Sequence, residues 1–308
     1  MAPQPSSGTR PTRHRAAVLL IAAFLLACCT PAAPHTGISS SSTVNPGATD
    51  TPHTSEDSAA DVTLPPTDAQ PDYQLAGAYT PDPAVGVVGR DHHDPPAGGL
   101  YSICYINGFQ TQPEEREAWP DDLLLHADGA PLADPDWPDE VLLDTSSSSN
   151  REKIAAIVEP WIEQCARDGF NAVEFDNLDS YTRSGGALSL GDNLAQARLF
   201  VQIAHREGLA AGQKNSAEAS RQLHDSAGFD FAVVEECMDY NECQNYTAVY
   251  GNHVIDIEYV DEETDDAAGF ATFEEYCHRP DAPSSMVLRD RNLSSPGSDG
   301  YVFRLCEE

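Results

Sequence analysis

Short apolar runs that stop abruptly at a carboxylate or an amide recur along this chain. Ala172-Val173-Glu174-Phe175 ends at Asp176 and Asn177, and Phe231-Ala232-Val233-Val234 ends at Glu235. A run of this kind reads as a buried parallel strand whose C-terminal end opens at a surface. Similar runs occupy 84–88 leading to Arg90 and Asp91, 101–106 leading to Asn107, 141–143 leading to Asp144, and 209–212 leading to Lys214 and Asn215. Two more are 254–257 leading to Glu258 and Tyr259, and 286–288 leading to Arg289 and Asp290. Amphipathic stretches at 151–168, 194–207 and 216–226 fall between several of them. The first is preceded by serines at 146–149, suited to an N-cap, and followed by Gly169, a helix stop. Alternating strands and helices require a parallel sheet with right-handed crossovers. About eight strands, each ending in a polar residue, predict an α/β fold closed as a (β/α)8 TIM-like barrel.

The N-terminus does not belong to that barrel. Arg10, Arg13 and Arg15 precede an apolar stretch at 16–27 and then Cys28. A basic segment before a short apolar core is an export signal, too short to span a membrane. Leu25-Leu26-Ala27-Cys28 further resembles a bacterial lipobox, which predicts cleavage after residue 27 and a lipid on Cys28; an ordinary signal peptide cut near Ala32 is the alternative. Residues 28–71 are mostly Ser, Thr, Pro, Ala and Asp and bury too little to offset chain entropy, so they read as a disordered linker. Residues 72–308 are one domain's worth of sequence. The expected product is an exported monomer, tethered by a lipid to the outer face of the cytoplasmic membrane.

Six cysteines lie in the domain: Cys104, Cys165, Cys237, Cys243, Cys277 and Cys306. An even number in an exported chain implies disulfides rather than a metal site. Cys237 and Cys243 are near enough to staple one loop, and Cys277 with Cys306 could tie down the C-terminus. Cys104 and Cys165 then pair by elimination. No paired His/Cys spacing suggests zinc, so neither metal nor cofactor is expected. The formal net charge of −33, with Lys153 and Lys214 the two lysines, disfavours nucleic acid and anionic polymers and favours cationic ones. Salt adaptation or simple solubility would give the same composition. No Gly-x-Ser-x-Gly elbow and no glycine-rich phosphate loop is present, which disfavours an esterase and a nucleotide site.

Two buried strands that each deliver a carboxylate at the same end suggest an acid/base pair, the machinery of glycoside hydrolysis. Ile103-Cys104-Tyr105-Ile106-Asn107, Leu142-Leu143-Asp144, the stretch from Ala172 through Asp176-Asn177-Leu178-Asp179 to Tyr181, Gly212-Gln213-Lys214-Asn215, and Val234-Glu235-Glu236-Cys237 through Cys243 together resemble the endo-α-1,4-polygalactosaminidases, glycoside hydrolase family 114. The similarity runs in order from about residue 73 to about residue 259. It implies a TIM barrel that cleaves α-1,4-linked galactosamine polymers, which are cationic when deacetylated. It also implies Asp176 and Glu235 as the catalytic carboxylates, read as nucleophile and acid/base, with retention of configuration expected. Val234, Glu236, Phe175 and Tyr73 depart from the family pattern and bear on sugar specificity.

Glu174 alternates with Asp176 and points the same way, deeper in the barrel, and is read with the substrate-binding residues, buffering Asp176 or binding Lys214, with a structural buried ion pair as the alternative. Asp179 and Tyr181, on the following loop, would bind the sugar's ammonium and stack on its ring. Asp91 and Asp144 are expected in the cleft, with helix capping as the alternative. Lys214 and Asn215 are expected there too, Lys214 beside a catalytic carboxylate. Trp119 and Trp137 are candidate cleft aromatics. The acidic run at 261–266 reads as a solvated loop, with calcium binding or contact with a cationic glycan as the alternatives. Two other functions fit the residues less well: a carbohydrate-binding lipoprotein without activity, and a barrel glycosidase for another α-linked glycan.

Overall fold

The structure, a computed structural model, describes residues 62–260 and 266–306. The expected signal segment, Cys28, the linker up to residue 61 and the acids at 261–265 lie outside the described residues.

Nine strands form one sheet: β1 (Gln70–Gln74), β2 (Val85–Asp91), β3 (Tyr101–Asn107), β4 (Ala172–Asp176), β5 (Ala210–Lys214), β6 (Phe231–Glu235), β7 (Val254–Val260), β8 (Ser285–Asp290) and β9 (Phe303–Leu305). They lie in sequence order. β1 to β8 are parallel throughout, and β9 returns antiparallel along β8. β8 comes back beside β1, and side chains rather than a backbone ladder bridge that seam. Arg289, fully buried, donates to the Asp72 carboxylate at 2.8 Å and to the Tyr73 carbonyl. The result is a nearly closed TIM-like barrel.

The helices follow from local signals. In α1 (Ser148–Asp168) the Ser147 hydroxyl accepts the Asn150 N–H, and Gly169 ends the helix at φ +95°. Its buried residues Ile154, Val158, Ile162 and Cys165 recur every three or four positions, one stripe facing the barrel. A capping box of Ser189 and Asp192 starts α2 (Leu190–Arg206). Residues 217–227 form short turns of mixed pitch where one helix was expected. α3 (Cys243–Tyr250) and α4 (Asp266–Cys277) follow. Among the described residues no helix joins β1 to β2 or β2 to β3; these connections are loops.

Two apolar layers result. One fills the barrel with Val87, Ile103, Ala172, Phe231, Val233 and Ile257. The other, outside the sheet, packs Ile106, Val173, Phe175 and Val234 against Val158, Ile162 and Phe200 of the helices. The disulfides are Cys104–Cys165, Cys237–Cys243 and Cys277–Cys306, the pairing expected from the sequence. The first ties β3 to α1, and the last ties α4 to the end of β9.

Two expectations need correction. Residues 141–143 are not a barrel strand. They lie in the long β3–α1 connection, making single antiparallel bridges from Leu142 to Gln110, Leu143 to Leu124 and Val141 to Ala133. The missing strand is β1, so the expected linker boundary at residue 71 falls inside a strand. Val62 and Leu64, further upstream, already pack on the barrel interior.

Candidate active site

The C-terminal strand ends converge on a cleft of ≈ 630 Å³. Alternation along each strand turns Tyr105, Asp176, Lys214, Glu235 and Tyr259 into it. The residue after each of three successive strands, Asn177, Asn215 and Glu236, has φ of +61°, +47° and +58°. These left-handed turns fold the chain away from the rim just after each functional side chain. Asn accepts that conformation readily; Glu does not, and its pairing with Arg291 at 2.5 Å holds Glu236 turned aside.

Lys214 organises the centre. Its ammonium, 2 % exposed, lies 3.3 Å from Asp176 Oδ2 and 3.2 Å from Glu235 Oε2, over the rings of Tyr73 and Tyr105. Burial alone would lower its pKa, but Asp176, Glu235 and Glu174 together hold it well above the ordinary lysine value. Asp176 also accepts the Tyr105 hydroxyl at 2.9 Å and the Asn177 N–H at 2.6 Å. Glu235 accepts the Tyr259 hydroxyl at 2.6 Å and the Asn215 side-chain amide N–H at 2.9 Å, while its own N–H donates to Asn215 Oδ1 at 2.8 Å. Burial pushes Glu235 up, but Lys214 and these two donors outweigh it and keep the carboxylate below the ordinary glutamate value.

One wall comes from the β3–α1 connection and the β4 loop. Arg183 bridges Asp134 at 2.6 Å and Asp179 at 2.8 Å and donates to Asn177 at 3.0 Å. Asn177 donates in turn to the Asn107 oxygen, and the Asn107 amide donates to Glu140 at 3.0 Å. Burial, joined by the charges of Asp176 and Asp134, pushes Glu140 up to about 7, against the pull of Asn107 and Arg183. Trp137, 65 % exposed, stands at the rim.

Asp91, Asp176, Asp179, Lys214, Asn215 and Glu235 thus line one cleft, as expected. Four expected residues do not. Glu174 is wholly buried beneath the floor, hydrogen-bonded to Tyr73 at 2.7 Å, and burial pushes it up to about 7. Asp144 accepts the Ser146 N–H and the Asn150 amide, so it caps the start of α1. Tyr181 packs with Leu125, Leu142 and Leu188. Trp119 is buried in the outer core rather than in the cleft. Residues that sequence reasoning missed include Tyr105, Tyr259, Glu140, Arg183 and Asp134. The two tyrosines were reachable, since each sits two positions along its strand from an inward residue. The other three lie on connections without periodicity.

Two groups of side chains have metal-ligand proximity among the described residues. Cys237 and Cys243, beside Asp256, are committed to a disulfide. In the group Asp91, His92 and His93, Asp91 holds His93 Nδ1 at 2.7 Å and Glu115 holds His92 Nε2 at 2.6 Å. These are hydrogen-bond contacts, and they occupy one nitrogen of each ring.

A parallel barrel with paired carboxylates at its C-terminal mouth is the arrangement a TIM-barrel glycoside hydrolase uses. The profile of glycoside-hydrolase family GH114 matches residues 51–308, and the chain belongs to that family. Among solved structures it is similar to Aspergillus fumigatus Ega3 in complex with galactosamine, at 22 % identity and a TM-score of 0.65, covering 80 % of this chain and 100 % of that one. It is also similar to the glycoside hydrolase domain of PelA from Pseudomonas aeruginosa, at 14 % identity and a TM-score of 0.50, covering 74 % and 97 %. Both share the barrel. No curated protein matches in sequence.

Proposed function

We propose that this glycoside hydrolase cleaves an α-1,4-linked galactosamine-containing polysaccharide within the chain, with retention of configuration. The observation that carries the mechanism is the single ammonium shared by Asp176 and Glu235. The two carboxylate oxygens it touches can be no further apart than the sum of the two contacts, 3.3 and 3.2 Å. That limit admits the roughly 5–5.5 Å carboxyl spacing of retaining enzymes. Asp176, oriented by Tyr105 and the Asn177 N–H, attacks the anomeric carbon and forms a glycosyl ester. Glu235 gives its proton to the departing glycosidic oxygen. It then takes a proton from the water that hydrolyses the ester, and both carboxyls are restored. Loss of the Asp176 charge in the ester leaves Lys214 to Glu235, favouring its ionised form for the second step.

The substrate reading is supported by family membership, by the formal charge of −33, which attracts a polycation, and by the galactosamine held by the structurally similar Ega3. Export, with a lipid on Cys28 and a monomer on the outer face of the membrane, is part of the proposal. Three disulfides support the oxidising compartment. Incorporation of labelled palmitate by wild type but not by Cys28→Ser would bear the anchor out, and equal labelling would overturn it.

The activity is tested by mass spectrometry of products from partially deacetylated α-1,4-galactosaminogalactan. Wild type should release galactosamine oligomers, and folded Asp176→Asn and Glu235→Gln should each be at least about a thousandfold slower. Cleavage of other α-linked glycans alone would overturn the substrate. Binding without products would overturn catalysis.

A further inference from the structure

We propose that Glu140 receives the protonated 2-amino group of the sugar attacked by Asp176, and so sets a preference for deacetylated over N-acetylated polymer. This rests on the hydrolase reading above and names the residue that discriminates within it.

The starting observation is an imbalance among the cleft acids. Asp176 and Glu235 share Lys214, Glu236 has Arg291, Asp134 and Asp179 share Arg183, and Asp91 accepts hydrogen bonds from the His93 N–H and the Gln112 amide. Glu140, half-buried, has no cation within ion-pair distance among the described residues. Among the described residues its carboxylate accepts one hydrogen bond, from the Asn107 amide to Oε2, which leaves Oε1 for the cleft. Asp136 also lacks a cation, but it is open to water, which solvates its charge. Arg183, whose charge reaches Glu140, is already committed to two carboxylates and Asn177.

Position makes the imbalance specific. Asn107, which anchors Glu140, is the register partner of Asp176 on the neighbouring strand. Glu140 therefore flanks Asp176 on the β3 side, whereas Glu235 flanks it on the β5–β6 side. In an amino sugar the nitrogen is on C2, one bond from the anomeric carbon that Asp176 attacks. A sugar seated for attack carries its amine beside Asp176, and the cleft offers there a carboxylate lacking a counter-ion. Such a carboxylate, disfavoured as an anion by its surroundings, gains most from an arriving ammonium. An acetamido group brings no charge, adds bulk and leaves Glu140 uncompensated.

The test compares wild type and Glu140→Gln, an isosteric change, on fully deacetylated and fully N-acetylated α-1,4-galactosamine polymers of matched length. The ratio of kcat/KM for deacetylated to N-acetylated polymer should fall at least about tenfold in the variant, the worth of one charge-assisted contact. Calorimetric titration with free galactosamine should likewise show at least about tenfold weaker binding to the variant than to wild type. A parallel loss on both polymers, or an unaltered ratio, would make Glu140 a structural support and overturn the inference. Wild type inactive on both polymers would instead defeat the substrate reading itself.

Discussion

At the scale of single residues, the state of Glu235 decides the chemistry. Lys214, Tyr259 and Asn215 all stabilise its carboxylate. An acid that must hold a proton in the free site is then scarce at neutral pH, so kcat/KM is expected to peak at acid pH. Tyr259→Phe removes one donor to a charged group, worth about 1.5–3 kcal/mol, and raises the pKa of Glu235. The alkaline limb of the kcat/KM profile should move up by about one unit, since one unit corresponds to about 1.4 kcal/mol. Movement of the acid limb instead would make Glu235 the nucleophile and Asp176 the acid.

At the scale of elements, glycine creates the space that the barrel floor needs. A Cβ on Gly212 of β5 would stand 2.6 Å from the ring of Phe231 on β6, which is fully buried. Gly212→Ala should cost about 1–3 kcal/mol by overpacking, read as a lower urea midpoint with unchanged slope. The same two strands carry Lys214 and Glu235, so a displaced β5 should also lower kcat. An unaltered midpoint would show that Phe231 has room to move. Sequence pattern found strands such as β4 and β6 because burial on both faces leaves a continuous apolar run. It missed β1, because Asp72 and Gln74 are buried polar residues satisfied by one another and by Arg90, Arg289 and Tyr79. It misplaced 141–143, because an apolar run is equally at home in a buried connection.

At the scale of the whole molecule, buried acids make stability depend on pH. Glu174 is raised to about 7 by burial. Asp256 and Glu258, packed together behind the Cys237 loop, are raised for the same reason, Glu258 to about 7. A group whose folded pKa is raised holds its proton in the native state after the unfolded chain has released it. Its contribution is whole below the ordinary glutamate value and is lost as pH rises to about 7. For Glu174 the loss is at most roughly 3 kcal/mol. Glu235, whose pKa is depressed, works in the opposite sense at lower pH. The melting temperature should therefore fall between pH 5 and pH 8, by several degrees. Glu174→Gln should flatten that slope; an equally steep slope would assign it to other groups.

The sequence by itself determined the barrel class, the order of most strands and the even set of six domain cysteines that the disulfides use. Each of these is written in local pattern: apolar runs, their abrupt polar ends, helix caps and cysteine count. Tertiary structure alone decided which polar residues share the cleft. It put Lys214 between Asp176 and Glu235, sent Asp144 to a helix cap and Tyr181 to an apolar cluster, and brought Glu140 to the cleft from a connection without periodicity. The reason is that period and parity fix a side chain's direction only while the chain is a strand or a helix. Beyond the strand ends, its place depends on partners far away in sequence, here Asn107 and Asp176 for Glu140.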